Sequence, residues 1–174
     1  GSVSETISNN FFKEIERHIK KTGCRFVVDT AGSALKKIVN TGAYLIKPNL
    51  NEFSGLFGKK PLSYKQLVIK AKEIIKKGKI ENILVSIGED GAILVNNALA
   101  VQFIPPSVVV KSTVGAGDSM VAAIVYQLNK GAEIIDAVKF GVAAGSATTA
   151  NSGMQLCSLA GAKKLLPKIK LKAL

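Results

Sequence analysis

The residues best suited to chemistry lie together in Ser112-Thr113-Val114-Gly115-Ala116-Gly117-Asp118-Ser119, where an acid follows directly on a glycine turn. An extended β-branched run, Val108-Val109-Val110, precedes it. A small-residue helical pattern starting at Met120 follows. The order predicts a turn feeding a buried helix. Amides at a helix N-terminus lack partners and carry partial positive charge, and glycine lets that backbone approach an anion closely. Gly115, Ala116 and Gly117 are therefore a candidate anion cradle. Asp118 beside an anion is repulsive unless it has a task. One such task is to take a proton from an attacking hydroxyl while the amides stabilise a phosphoryl group in transfer. On these residues alone a plainer reading stays open, in which Asp118 is an N-cap or first-turn acid. No Lys-Ser/Thr follows the glycines, so this is not a P-loop, and the spacing is not G-x-G-x-x-G.

Further polar stretches precede and follow it. In Lys47-Pro48-Asn49-Leu50-Asn51-Glu52, Asn49 and Glu52 have the spacing of a helix capping box. The same spacing suits a carboxylate that organises Mg²⁺ through water, and one residue can do both. Ser86-Ile87-Gly88-Glu89-Asp90-Gly91 reads as a turn between strands. The small residues of 141–149, including Ala144 and Ser146, suit close helix packing. His18 stands among charged neighbours with no metal-ligand spacing and reads as a surface histidine. Cys24 and Cys157 lack metal spacing too, and read as ordinary buried or partly buried thiols in a reducing cytoplasm.

The elements that must position these groups alternate. Phe11, Phe12, Ile15 and Ile19 fit a helix capped by Asn9 or Asn10 and stopped by Gly23. Residues 25–29 read as a strand, 34–39 as a helix and 44–46 as the next strand, which predicts a parallel β-α-β unit. Ligands of such sheets bind at the carboxyl ends of strands, where Asp29 and Asn49 to Glu52 fall. Ser63 opens an amphipathic helix over 64–77, closed by Gly78, with Leu67, Ala71, Ile74 and Ile75 inward. Strands follow over 82–87, 92–95 and 99–103, then a helix over 134–149. The basic tail 163–174 reads as a surface helix broken at Pro167. No repeat or linker interrupts the chain.

Apolar content of 47% supports a real core. No apolar run reaches membrane length, and no leader is evident, so neither membrane nor export is expected. There are 24 basic and 12 acidic residues, a net charge of +12. The lysines are spread over helix faces, as at Lys70, Lys72, Lys76, Lys77 and Lys79, and no nucleic-acid motif accompanies them. A solvated surface that attracts anionic nucleotide and sugar phosphate is expected, with no specific nucleic-acid partner. Nonspecific binding at low salt remains open.

Residues 112–125 resemble the C-terminal signature of the PfkB (ribokinase-like) carbohydrate kinases: polar, Thr, any, small, small, Gly, Asp, three of any kind, then two small and two apolar. The stretch is most similar to the branch of 1-phosphofructokinases and tagatose-6-phosphate kinases. Lys47-Pro48-Asn49 with Glu52 resembles the family's second landmark, in the expected order. The resemblance implies that Asp118 is the base and that Gly115, Ala116 and Gly117 form the anion hole. It implies that Asn49 and Glu52 act on phosphate and Mg²⁺, and that Lys47 lies near the phosphates of ATP. It places Ser86, Gly88 and Gly91 along the nucleotide, Ala144 and Ser146 beside the adenine, and Ser2 on the sugar phosphate. The implied fold is a three-layer α/β/α ribokinase-like fold with a mostly parallel sheet. The implied reaction is ATP-dependent phosphorylation of fructose 1-phosphate, with tagatose 6-phosphate as alternative acceptor or a non-catalytic nucleotide-binding remnant as alternative role. Landmarks of the family's N-terminal half and its β-lid do not occur, so the chain is expected to be the C-terminal half. By itself it is expected to be marginal, to self-associate as a homodimer or through exposed sheet surface, or to need that other half.

Overall fold

Asn49 and Ser63 start two helices by the same device: each side chain accepts the amide three residues on, and that residue's side chain accepts the cap amide in return. The computed structural model describes residues 9–58 and 60–174. The chain divides into two units, one running up to Ser86 with Ile93–Ala100 and Leu174, the other comprising Ile87–Ala92 and Val101–Ala173.

The first unit holds α1 (Asn9–Thr22), β1 (Val27–Val28), α2 (Gly32–Thr41), β2 (Ala43–Ile46), α3 (Leu50–Ser54), α4 (Tyr64–Ile75) and β3 (Ile80–Ser86). β1 pairs parallel with β2, and β2 parallel with β3, in the registers Val27 to Leu45 and Ala43 to Ile80. Leu45, Ile46, Ile83, Leu84 and Val85 are fully buried. Continuous apolar runs of this kind belong to parallel strands covered on both faces. Asn82 interrupts the run without cost. Its Nδ2 donates to the Tyr44 carbonyl at 3.0 Å, and its Oδ1 accepts from Asn96 at 3.2 Å. The stripe of α4 is the expected one, Leu67, Ala71, Ile74 and Ile75.

β4 (Ala92–Val95) and β5 (Ala100–Ile104) lead into α5 (Ala116–Asn129), α6 (Ile134–Thr149), α7 (Leu159–Leu165) and β6 (Lys170–Ala173). The sheet has six strands in the order β1-β2-β3-β4-β5-β6, with β5 and β6 antiparallel. This is the expected α/β class with a mostly parallel sheet. Among the described residues no helix is long and apolar enough to cross a membrane.

Several expectations need correction. Asn9 and Asn10 already lie within α1, so neither caps it. The strand expected over 25–29 shrinks to Val27–Val28. Cys24 is exposed, not buried. Val108 to Val110 form no strand, and Val109 and Val110 are exposed. Pro105 and Pro106 just upstream lack the amides a ladder needs. α5 is buried on one face only, through Ser119, Met120, Ile124 and Leu128. The basic tail is not a surface helix to its end. Pro167 sits in a single 3-10 turn over Leu166–Lys168, and the remainder becomes β6. The residues after Pro167 instead pair with the ladder of β5, Val101 opposite Ala173 and Ile104 opposite Lys170.

Candidate active site

In the first unit, parallel pairing carries the carboxyl ends of β1, β2 and β3 to one edge. Lys47 follows β2 and is buried. Its amide donates to the Val28 carbonyl at 2.9 Å, and its Nζ lies 3.2 Å from Oδ2 of Asp29, which follows β1. A buried ammonium is tolerated when a carboxylate neutralises it. Asn49 forms a parallel bridge with Ser86, whose amide donates to the Pro48 carbonyl at 3.0 Å. Residues from two separate stretches of the sequence, Lys47 with Asn49 and Ser86, thus share one edge.

Asn49 is the N-cap of α3. Its Oδ1 accepts the Glu52 amide at 2.9 Å, and its own amide donates to Glu52 Oε2 at 2.8 Å. The capping reading of this pair is therefore realised. The box uses Oε2 and leaves Glu52 Oε1 without a partner among the described residues. No group of three or more His, Cys, Asp or Glu side chains that could hold a metal occurs among the described residues. That donor set fits Mg²⁺ held chiefly by phosphate and water with one protein carboxylate, the usual habit of this ion.

In the second unit, α5 begins at a glycine that offers its first amides no side-chain acceptor. Gly115 is the N-cap at φ +75°, in the left-handed region, and has no side chain to give its helix. The first helical hydrogen bond runs from the Ser119 amide to the Gly115 carbonyl at 2.9 Å. The amides of Gly117 and Asp118 have no partner among the described residues. Asp118 occupies the third helical position, exposed and without a partner of its own among the described residues. It is a first-turn acid that does not cap. The turn thus presents open amides and an open carboxylate together.

The other expected site residues differ in their surroundings. Gly91 is buried at φ +91°, and a Cβ there would lie 1.9 Å from the Phe103 carbonyl oxygen; Gly88 is at φ +66° in open space. Ala144 is buried in a cluster with Phe140 and Ala162, and Ser146 Oγ donates to the Val142 carbonyl at 2.8 Å within α6. Ser2 lies outside the described residues.

A sequence profile described as pfkB family carbohydrate kinase matches residues 1–160. The chain belongs to that family. It is 37% identical over 171 residues to a 1-phosphofructokinase of Borreliella burgdorferi, covering 98% of this chain and 54% of that protein. It is 41% identical over 159 residues to the ATP-dependent 6-phosphofructokinase isozyme 2 of Escherichia coli K12, covering 91% and 52%. The fold matches phosphofructokinase-2 from Escherichia coli, solved in complex with potassium, at a TM-score of 0.89 and 37% identity, over 97% of this chain and 55% of that one. The pfkB-family chain described here spans about half the length of the curated relatives it matches.

Sequence reasoning placed Asp29 at a strand end without making it a site residue, and overlooked Thr30. Asp29 holds Lys47, and Thr30 is buried with its hydroxyl unpartnered among the described residues. No spacing rule links Asp29 to Lys47; only the parallel register does. A cleft of about 510 Å³ also opens at the amino ends of the same strands, lined by Arg25, Tyr44, Lys79 and Glu81 among others. It involves none of the residues implied by the family signature.

Proposed function

We propose that this chain is the nucleotide-binding and catalytic C-terminal half of an ATP-dependent sugar-phosphate kinase, with fructose 1-phosphate as acceptor and fructose 1,6-bisphosphate as product. The observation that carries this reading is the start of α5. A helix N-terminus whose cap is a left-handed glycine leaves the amides of Gly117 and Asp118 for an anion, while the Ala116 amide donates to the Thr113 carbonyl at 3.3 Å, and an unpaired acid stands in its first turn. The family membership and the 1-phosphofructokinase relative support the same chemistry.

In this reading Asp118 accepts the proton of the attacking hydroxyl. The amides of the Gly115, Ala116 and Gly117 turn stabilise negative charge on the phosphoryl group during transfer. Mg²⁺ supplies neutralisation of the polyphosphate, and Glu52 with Asn49 would hold its water shell. Lys47, oriented by Asp29, and Ser86, backed by the Pro48 carbonyl, would meet phosphate. Gly88 and Gly91 shape the turn along the nucleotide, and Ser2 would touch the sugar phosphate. Ala144 and Ser146, carried on α6, would lie beside the adenine. The reading places the kinase in the cytoplasm, where ATP and sugar phosphates meet.

The 41% identity to a 6-phosphofructokinase favours a second acceptor, fructose 6-phosphate. The test is a coupled ADP-release assay on the full-length protein with both fructose phosphates and tagatose 6-phosphate, with and without magnesium. Magnesium-dependent turnover greatest on fructose 1-phosphate is expected. Greater turnover on fructose 6-phosphate selects the second reading. ATP binding without turnover on any of the three would leave a non-catalytic nucleotide binder.

A further inference from the structure

The geometry points to Thr148 as a positioning residue for Asp118, an inference that rests on the proposed kinase reading. The case begins with how closely α6 approaches α5. A Cβ at Gly141 would lie 2.9 Å from the Met120 carbonyl oxygen, and one at Gly145 would lie 3.1 Å from that of Ala116. The two glycines therefore let α6 lie directly on the first turns of α5.

At the end of this contact stands a hydroxyl pair sealed from solvent. Thr148 is 1% exposed and Ser119 7%. Thr148 Oγ1 donates to Ser119 Oγ at 2.8 Å and accepts the Cys157 amide at 3.0 Å. Ser119 is the residue after Asp118, so this bond fixes the rotation of the helical turn that carries the carboxylate. A buried hydrogen bond is directional and costly to leave half-made.

The next residue holds the other arm of the turn. The Thr149 carbonyl accepts the amides of Lys111 at 2.8 Å and Ser112 at 3.3 Å. The loop hooked on Thr148 through Cys157 also matters. The neighbouring Leu156 Cδ2 lies 2.5 Å from where a Cβ on Gly115 would stand, and the Leu156 carbonyl is held by Asn151 at 3.0 Å. One threonine therefore connects α6, the returning loop and the residue after the base. Neither the glycine signature nor any sequence spacing announces it.

Thr148→Val keeps the shape and removes the hydroxyl; Thr148→Ser keeps the hydroxyl. In the full-length protein Thr148→Val should lower kcat by about 10- to 100-fold, the scale of a small misplacement of a reacting group. KM for both substrates should stay within about threefold, and Thr148→Ser should restore kcat to within about threefold of wild type. Amide hydrogen exchange at Ser119, whose amide donates to the Gly115 carbonyl, should speed about tenfold in Thr148→Val, as expected for a lost local restraint. Unchanged kcat and unchanged exchange overturn the inference, as does equal loss of kcat in the Val and Ser variants. Should Thr148→Val not fold, Ser119→Ala decides, because it removes the same bond while leaving the Thr148–Cys157 contact; normal kcat in Ser119→Ala overturns the inference. If the wild-type protein turns over no sugar phosphate, the kinase reading fails, and the exchange comparison still decides whether Thr148 restrains the turn.

Discussion

Glu52 shows how one side chain can serve both a helix and a site. Its Oε2 closes the box with Asn49, and Oε1 stays available. Asn49→Ala removes the cap and should destabilise the protein by about 1 kcal/mol in urea unfolding. Glu52→Gln retains an oxygen that can accept the Asn49 amide. It should leave that midpoint nearly unchanged while raising the magnesium concentration needed for half-maximal turnover. Tyr126 is a separate case on the outer face of α5. Its hydroxyl hydrogen-bonds with Lys130, whose charge also favours the phenolate, and the Tyr126 pKa lies below its ordinary value of 10.0. The Lys130 Nζ sits 4.5 Å from the Tyr126 ring centre. Lys130→Met should therefore raise the Tyr126 pKa, read as a later phenolate absorbance rise in an alkaline titration. Because Tyr126 is exposed, no change in folding stability is expected from that variant.

Elements differ in how much of them could be read from sequence. α6 was legible to both ends, because apolar and small residues fill Ile134–Thr149 apart from Asp136 and Lys139 near its start. The α3 and α4 starts were legible because a capping box is a local code. β6 was not, since the alternation in Lys170–Ala173 is too short to separate from a helix end, and its partner β5 is far away in sequence. Asp118 and its glycines were legible as a motif. The Asp29–Lys47 pair and the Thr148–Ser119 bond were not, because both are made by tertiary contact. The turn before β4 separates two glycines that look alike in sequence. Gly88→Ala meets open space and should cost about 1 kcal/mol for its left-handed backbone. Gly91→Ala adds a clash with the Phe103 carbonyl and should cost about 3 kcal/mol or more. Comparing the two urea midpoints checks this; equal midpoints would show that β5 yields to the added methyl.

At the scale of the molecule, the chain covers about half of its relatives while carrying a net charge of +12. β1 stands at one end of the strand order, is two residues long, and has half-buried Val27 and Val28. Among the described residues β1 has no neighbour on its outer side, and an edge strand with apolar side chains invites pairing. The 174-residue chain expressed by itself should therefore self-associate, and light scattering should report a mass above that of one 18.3 kDa chain. A stable monomer at high concentration would contradict this. The central claim concerns the acid at the start of α5, and the full-length protein carrying Asp118→Asn tests it most directly. Single-turnover phosphoryl transfer should fall by about 10²- to 10⁴-fold, the usual worth of a general base, with ATP affinity within about threefold of wild type. Transfer at a near-normal rate, or loss of ATP binding in step with turnover, would contradict the assignment of Asp118 as the base.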